Sequence, residues 1–336
     1  MKKILVLPVL LSLLVFSCTK MAQDPMGNVP DLSSTVEVPV NANGIPFQKT
    51  CASHEVHQQQ LKDNPGLAKK MADIEAFTKK VSSDPSAYRL ENGVYVIPVV
   101  VNVLYRTAAE NISAAQIQSQ IDVLNADFAG SNADNSLTPA SFTSVLAGNT
   151  NIRFELAATV RKATKTTSWS TNDAMKSSSR GGISPTNPAT NLNIWVCTLS
   201  RSLLGYAQFP GGSPSTDGVV VSNTAFGNTG TAKAPFNKGR TATHEVGHWL
   251  NLRHIWGDAT CGSDLVTDTP THNTSNGGCP AIDHRSTCSG TPIEMTMNYM
   301  DYTYDACMYM FSAGQKTRML ATFASGGGRT SFALPQ

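Results

Sequence analysis

The apolar run Tyr95-Val96-Ile97-Pro98-Val99-Val100-Val101-Asn102-Val103-Leu104-Tyr105 predicts a buried strand. Ser113 then stands where a helix cap belongs. Ile117, Ile121, Leu124 and Phe128 follow at three- and four-residue intervals, and Gly130 lies just past the last of them, which predicts a helix. Ile152–Ala157 alternates as a strand, Leu192–Leu199 predicts another, and Gly218–Ser222 a third. A second helix is expected from near Arg240 to about Asn251, and a last one from Ser312 to Phe323. Between Trp256 and Pro292 the chain is rich in Gly and Pro and predicts loops. Ahead of all this, residues 19–45 are polar and read as a tether, while residues 52–80 look helical but hold too little apolar surface for a core of their own. This order of strands, a backing helix, a second helix and an irregular lower part predicts an α/β (α+β) fold without internal repeats.

The first residues change the picture of where the chain works. Met1-Lys2-Lys3 followed by an apolar stretch from Ile4 to Phe16 has the basic head and short apolar core of an export signal, and is too short for a convincing membrane span. Val15-Phe16-Ser17-Cys18 resembles a bacterial lipobox, in which Cys18 is lipidated; Phe16 is bulky for that pattern, which leaves ordinary cleavage nearby as the alternative. The protein is therefore expected to be exported, either secreted or held at the surface as a lipid-anchored precursor, with no contact with a membrane beyond that anchor. With 336 residues, 15% charged and a formal net charge of +2, nothing proposes nucleic acid as a partner.

Export also sorts the seven cysteines. Cys18 belongs to the signal, while Cys261, Cys279, Cys288 and Cys307 cluster after the second helix and would be oxidised outside the cell; four cysteines allow three pairings. Cys197 sits in an apolar strand as a buried thiol. Cys51 is left over.

Residues 244–254, His-Glu-Val-Gly-His-Trp-Leu-Asn-Leu-Arg-His, carry the candidate chemistry. His244 and His248 share one helical face, so two imidazoles can converge on one metal. Glu245 is placed beside them to hold a water rather than the ion. His254 can return to the metal only if the helix stops near Asn251 and the chain turns sharply. Three neutral imidazoles leave one position for water, the open arrangement of catalytic rather than structural zinc, and Glu245 can take that water's proton. By contrast, His54-Glu55-Val56-His57 has Gln58 where a second ligand should stand and is expected to be a solvated helical stretch.

His244-Glu245-x-x-His248-x-x-x-x-x-His254, together with Asn298-Tyr299-Met300-Asp301-Tyr302, resembles the pappalysin family of metzincin zinc endopeptidases in its compact prokaryotic form. The likeness runs from about Tyr95 to Phe323 and includes Gln120-Ile121-Asp122-Val123-Leu124-Asn125. It implies a metzincin-like domain: a twisted, mostly parallel sheet, a backing helix, an active-site helix and an irregular C-terminal subdomain tied by Cys261–Cys288 and Cys279–Cys307. Asn251 stands where the family usually has glycine. Asparagine is the next most tolerant residue in a left-handed turn, so a small energetic cost is expected and no loss of zinc.

The resemblance also assigns roles. Met300 forms an apolar floor beneath the imidazoles, a part close to that of any core methionine. Tyr302 points toward the metal and stabilises the oxyanion, the alternative being a buried tyrosine bonded to backbone. Asp305 lines the pocket after the scissile bond and selects Arg or Lys, the alternative being a surface or calcium-linked carboxylate. Two charges about 4 Å apart attract by about 4 kcal/mol at an effective dielectric near 20, before desolvation. Asp264, Thr267 and Thr269 are the matches to a calcium site, with a metal-free polar loop as the alternative. Cys51 is the candidate latency thiol, its thiolate filling the fourth zinc position, against a bridge to Cys197 or an idle thiol. Arg89 is then an apt point for self-processing.

The expected organisation is a signal at 1–18, a tether and propeptide at 19–90, and a zinc- and calcium-dependent catalytic domain at 91–336 acting on protein or peptide substrates. The contrasting expectation is a catalytically idle, lipid-anchored binding or adhesion protein on the same scaffold. Zinc as a purely structural ion fits poorly with an open site beside a carboxylate.

Overall fold

Strand β1, Tyr95–Tyr105, is buried along almost its whole length, which is why its sequence is a continuous apolar run rather than an alternation. In the computed structural model, which describes residues 50–84, 93–200 and 203–333, β1 pairs in parallel with β2 (Ile152–Ala163) on one side and β3 (Leu192–Cys197) on the other. β3 pairs in parallel with β5 (Val219–Ser222), and the short β4 (Gly205–Ala207) closes the row antiparallel to β5, giving the order β2-β1-β3-β5-β4. Two strands depart from expectation. β2 continues six residues past Ala157, because pairing with β1 holds an edge strand whose side chains beyond Phe154 are mostly exposed and give no periodic signal. β4 was not foreseen, since three residues are too few for any periodicity.

The backing helix, Ala114–Ala129, begins where the Ser113 side chain accepts from Gln116 N and ends at Gly130, whose φ of 62° is left-handed. Counting α1 and α2 as the helices Ser53–Asp63 and Pro65–Ser83, it is α3. Ile117, Ile121, Leu124 and Phe128 all lie in the core between sheet and helices. Its polar residues tie the frame together. Gln120 donates to Gly239 O at 3.0 Å, just ahead of α4 (Arg240–Trp249), and Asn125 makes two bonds with the Phe154 main chain. Every residue of α4 is buried.

The lower part is irregular until α5, Ala313–Ala321, which starts in a capping box between Ser312 and Gln315. Disulfides join Cys261 to Cys288 and Cys279 to Cys307, across 27 and 28 residues of sequence. In the chain-entropy view each contributes about 3–4 kcal/mol. Cys51 and Cys197 are both free and buried, so the two are not bridged.

Residues 50–84 form an arm laid against the rest. Leu67 and Val81 of α2 are buried, and Arg318 of α5 makes a two-pronged ion pair with Glu75 at 2.7 and 2.5 Å. The expectation of a solvated helix at His54–His57 is corrected here: Val56 is buried, His57 packs on Phe209, and His54 pairs with Asp258. Two helices with too little apolar surface for their own core use the surface of the larger unit instead.

Candidate active site

The N-cap of α4 is Gly239, which has no side chain to cap the helix. Asp305 does so from a distance, its Oδ2 accepting from Lys238 N at 2.8 Å and Arg240 N at 3.2 Å. Asp305 is fully buried in this role. From there His244 and His248 project from one face of α4. The helix stops at Trp249, and Asn251 takes φ 72°, with Leu252 N returning to Gly247 O at 2.9 Å. That left-handed turn, made by asparagine, swings His254 back toward the first two imidazoles.

The three Nε2 atoms meet: His248 lies 3.2 Å from His244 and 3.1 Å from His254. Each ring's Nδ1 faces an acceptor, Tyr299 O at 2.6 Å for His244, Leu252 O at 2.7 Å for His248 and Asp258 Oδ1 at 2.5 Å for His254. Carbonyl and carboxylate oxygens take only a proton, so Nδ1 holds it and the Nε2 lone pairs point at one another. Tetrahedral zinc with nitrogens at about 2.0–2.1 Å sets them about 3.3–3.4 Å apart. The observed spacing and tautomers fit a zinc ion, with Cys51 Sγ completing a group of four donors all within 4.8 Å of one another.

Gly247 and Gly205 are required by close approach. A Cβ on Gly247 would stand 2.5 Å from Met300 Sδ, so Met300, fully buried, packs closely against α4. A Cβ on Gly205 would meet Glu245 Oε1 at 2.9 Å. Glu245 is buried, and its Oε2 accepts from Ser53 Oγ at 2.9 Å and lies 3.2 Å from Cys51 Sγ. Burial, and then the charge of Glu245, push the Cys51 thiol well above its ordinary range.

The arm reaches the site as an added strand. Thr50 O accepts from Leu204 N at 3.0 Å, Ala52 N donates to Gly205 O at 3.1 Å, and Cys51 bridges Gly205 in parallel along the free edge of β4. Ser53 Oγ also accepts from Ala207 N at 2.8 Å. Tyr302 OH donates to Cys51 O at 3.0 Å, and its ring stands edge-on to His254. Burial, with Cys51 and Glu245 nearby, holds the phenol well above its usual value, so it is a proton donor.

Farther out, Thr269 Oγ1 lies 3.0 and 2.9 Å from the Asp264 carboxylate oxygens and 3.1 Å from Val266 O. Thr267, between them in sequence, is exposed. Burial pushes the Asp264 carboxyl up to about 6 despite the Thr269 bond. Cys18 and Arg89 lie outside the described residues. Ser53, His54, Trp256 and Asp258 were missed; the one available signal was a carboxylate four residues after His254.

Residues 189–324 match the Peptidase_M43 family, described as pregnancy-associated plasma protein-A. An extracellular metalloprotease of Verticillium alfalfae is 34% identical over 238 residues, spanning 66% of this chain and 76% of that protein. Among solved structures, a promirolysin mutant from Tannerella forsythia matches at 44% identity and a TM-score of 0.77, covering 84% of this chain and 97% of that one. Mature mirolysin from the same organism, in complex with a cleaved peptide, matches at 48% identity and a TM-score of 0.69, covering 72% and 96%. With that likeness added to a histidine triad built for zinc, the chain belongs to the pappalysin-like Peptidase_M43 family and is a metalloendopeptidase.

Proposed function

We propose that the protein is an exported zinc endopeptidase, made as a latent precursor, that cuts on the N-terminal side of Arg and Lys. The observation that carries this reading is the convergence of three Nε2 atoms beside Glu245, with a free cysteine of the arm in the fourth donor position. His244, His248 and His254 would hold the ion. Zinc there supplies Lewis acidity, lowering the pKa of a coordinated water from about 15.7 to about 7.

The chain's own groups do the rest. Once the arm is gone, Glu245 takes the proton of the water that adds to the scissile carbonyl carbon, and returns it to the departing amine as the C–N bond breaks. Tyr302 turns its hydroxyl from Cys51 O to the oxygen that becomes negative. The free edge of β4 takes the peptide as an added strand, and Asp305 presents its carboxylate to the basic side chain after the cut. Cys51 fills the open ligand position in the precursor while Ser53 and Tyr302 keep the catalytic groups engaged with the arm.

Asp264, Thr269 and the Val266 carbonyl form the proposed calcium site, a hard-oxygen set whose buried carboxyl gains a counter-charge. Residues 1–18 act as the signal, with lipidation of Cys18; residues 19–90 form the tether and propeptide; residues 91–336 form the catalytic domain. Cleavage of Tyr88–Arg89 frees that domain from arm and anchor alike. Export accords with relatives named as extracellular metalloproteases, and among the described residues no helix is long and apolar enough to cross a membrane.

Casein digestion by the purified protein, with and without a chelator and beside Glu245→Ala, tests the reaction. Chelator and substitution should each abolish it, and digestion by Glu245→Ala at the parental rate would sink the proposal. Cleavage sites mapped in a proteome-derived peptide pool test the preference for Arg and Lys, and N-terminal sequencing of active protein tests the processing point.

A further inference from the structure

His254 is the only one of the three imidazoles whose Nδ1 is held by a side chain rather than a main-chain carbonyl. That side chain belongs to Asp258, and the intervening residues are arranged around the contact. Gly257 N closes a turn onto His254 O at 2.8 Å with φ 66°, and Asp258 itself takes φ 57°. Left-handed backbone is uncommon outside glycine and tends to persist where the surroundings demand it. Here it aims the carboxylate back at the ring four residues earlier. Trp256 lies flat on the same imidazole, with centroids 4.3 Å apart and 8° between planes, while Tyr302 stands edge-on to it. Stacking thus fixes the plane of His254, and Asp258 fixes its rotation within that plane.

We propose that Asp258 is the positioning residue for the third metal ligand: by accepting the Nδ1 proton it sets the tautomer and aim of His254, and so sets how tightly the site holds zinc. His244 and His248 need no such partner, because α4 and the turn after it supply carbonyls in place. His254 comes from a turn and needs one. The other carboxylate oxygen is within 3.1 Å of Nδ1 of His54, so in the precursor one carboxylate grips both the ligand and the arm. This inference rests on the zinc reading above and deepens it.

The test is zinc affinity of the full-length chain, measured by competition with a chromophoric chelator, for the parent, Asp258→Ala, Asp258→Asn and His54→Ala. Thermal unfolding is followed in parallel with excess chelator. Loss of a carboxylate behind a ligating histidine weakens metal binding about 10–100-fold. Asp258→Ala should show that loss, and Asp258→Asn, whose amide oxygen still accepts from Nδ1, should fall between it and the parent. His54→Ala, which touches only the outer oxygen, should bind like the parent, and all four chelated proteins should unfold together. Parental affinity in Asp258→Ala overturns the inference, as does an asparagine variant no better than alanine. A matching loss of stability in chelated Asp258→Ala also overturns it, by showing that the residue serves the fold. If His54→Ala weakens zinc as much as Asp258→Ala, arm docking sets the affinity and the inference again fails. Failure of the parent itself to bind zinc would sink the underlying reading instead.

Discussion

Replacing Ser53 by alanine should convert the precursor into a leaky one. Ser53 Oγ is fully buried and has one proton and two lone pairs to place. The proton goes to Glu245 Oε2 at 2.9 Å, and a lone pair takes Ala207 N–H at 2.8 Å. Alanine leaves the Ala207 amide hydrogen facing a methyl group and takes one bond from Glu245 Oε2, which still has the Cys51 thiol at 3.2 Å. A buried polar group stripped of its partner costs about 1–3 kcal/mol. Both groups regain water or substrate once the arm departs, so the whole penalty falls on the docked state. At about 1.4 kcal/mol per factor of ten, the docking equilibrium shifts toward the open form by about 5- to 150-fold. The assay is the time course of precursor conversion on gels for the parent, Ser53→Ala, Cys51→Ala and the double variant. Ser53 N lies 3.4 Å from Cys51 Sγ, so the two effects should not add. Conversion of Ser53→Ala at the parental rate, with Cys51→Ala fast, would refute the claim that the arm restrains the base as well as the metal.

Acid should loosen the arm. Burial, followed by the nearby charges of Arg253 and His54, brings His57 down from 6.5 to about 4, against the pull of Asp258. A histidine with a depressed folded pKa contributes fully above about 6.5 and loses that contribution as pH falls toward 4, at most about 3 kcal/mol before discounting its partial exposure. Protection of the α1 amides, taken as the exchange rate relative to each amide's intrinsic rate at that pH, should therefore fall between about pH 7 and about pH 5, and unchanged protection in that window would contradict the shift. Gly247→Ala puts a methyl 2.5 Å from Met300 Sδ, and overpacking of this kind costs about 1–3 kcal/mol. It should lower the melting temperature and weaken zinc, and parental values for both would mean that α4 can shift freely over Met300. Asp305 both caps α4 and, in the proposed pocket, selects the substrate, and two variants separate these roles. Asp305→Asn still accepts from the helix N-terminus and should flatten the Arg and Lys preference at near-parental stability, whereas Asp305→Ala should also lose about 1 kcal/mol. A peptide-library profile unchanged in Asp305→Asn would remove the specificity role.

What could be read from the sequence was what is written locally. His244 and His248 at helical spacing, Ser113 and Gly130 at the ends of α3, and the apolar run of β1 each state their structure within a few residues. The long-range contacts are silent in that register. Ser53 reaches Glu245 across 192 residues, and nothing in Cys-Ala-Ser-His announces it. The stretch His54–His57 looked solvated because apolar residues around it are few, yet a short apolar face suffices when a larger surface is already built.

Arg318 gives the arm a mechanical link to the metal turn. Its Nε donates to Asn251 O at 2.6 Å, at the left-handed residue between His248 and His254, while its other two nitrogens hold Glu75 of the arm. The guanidinium is nearly inaccessible, with 3% of the side chain exposed, and Glu75 is 30% exposed. A buried cation deprived of its partner is expensive only while it stays buried. With the arm docked, Glu75 is needed; with the arm gone, water reaches the guanidinium and the bond to Asn251 O can remain. In the proposed precursor the arm would therefore brace the turn that presents His254, and its loss would leave that turn held from α5. The same economy would apply at Glu245 and Tyr302, where each bond to the arm occupies a group that substrate would engage in the proposed reaction, so that in the proposed precursor a single departure would free the site without rebuilding it.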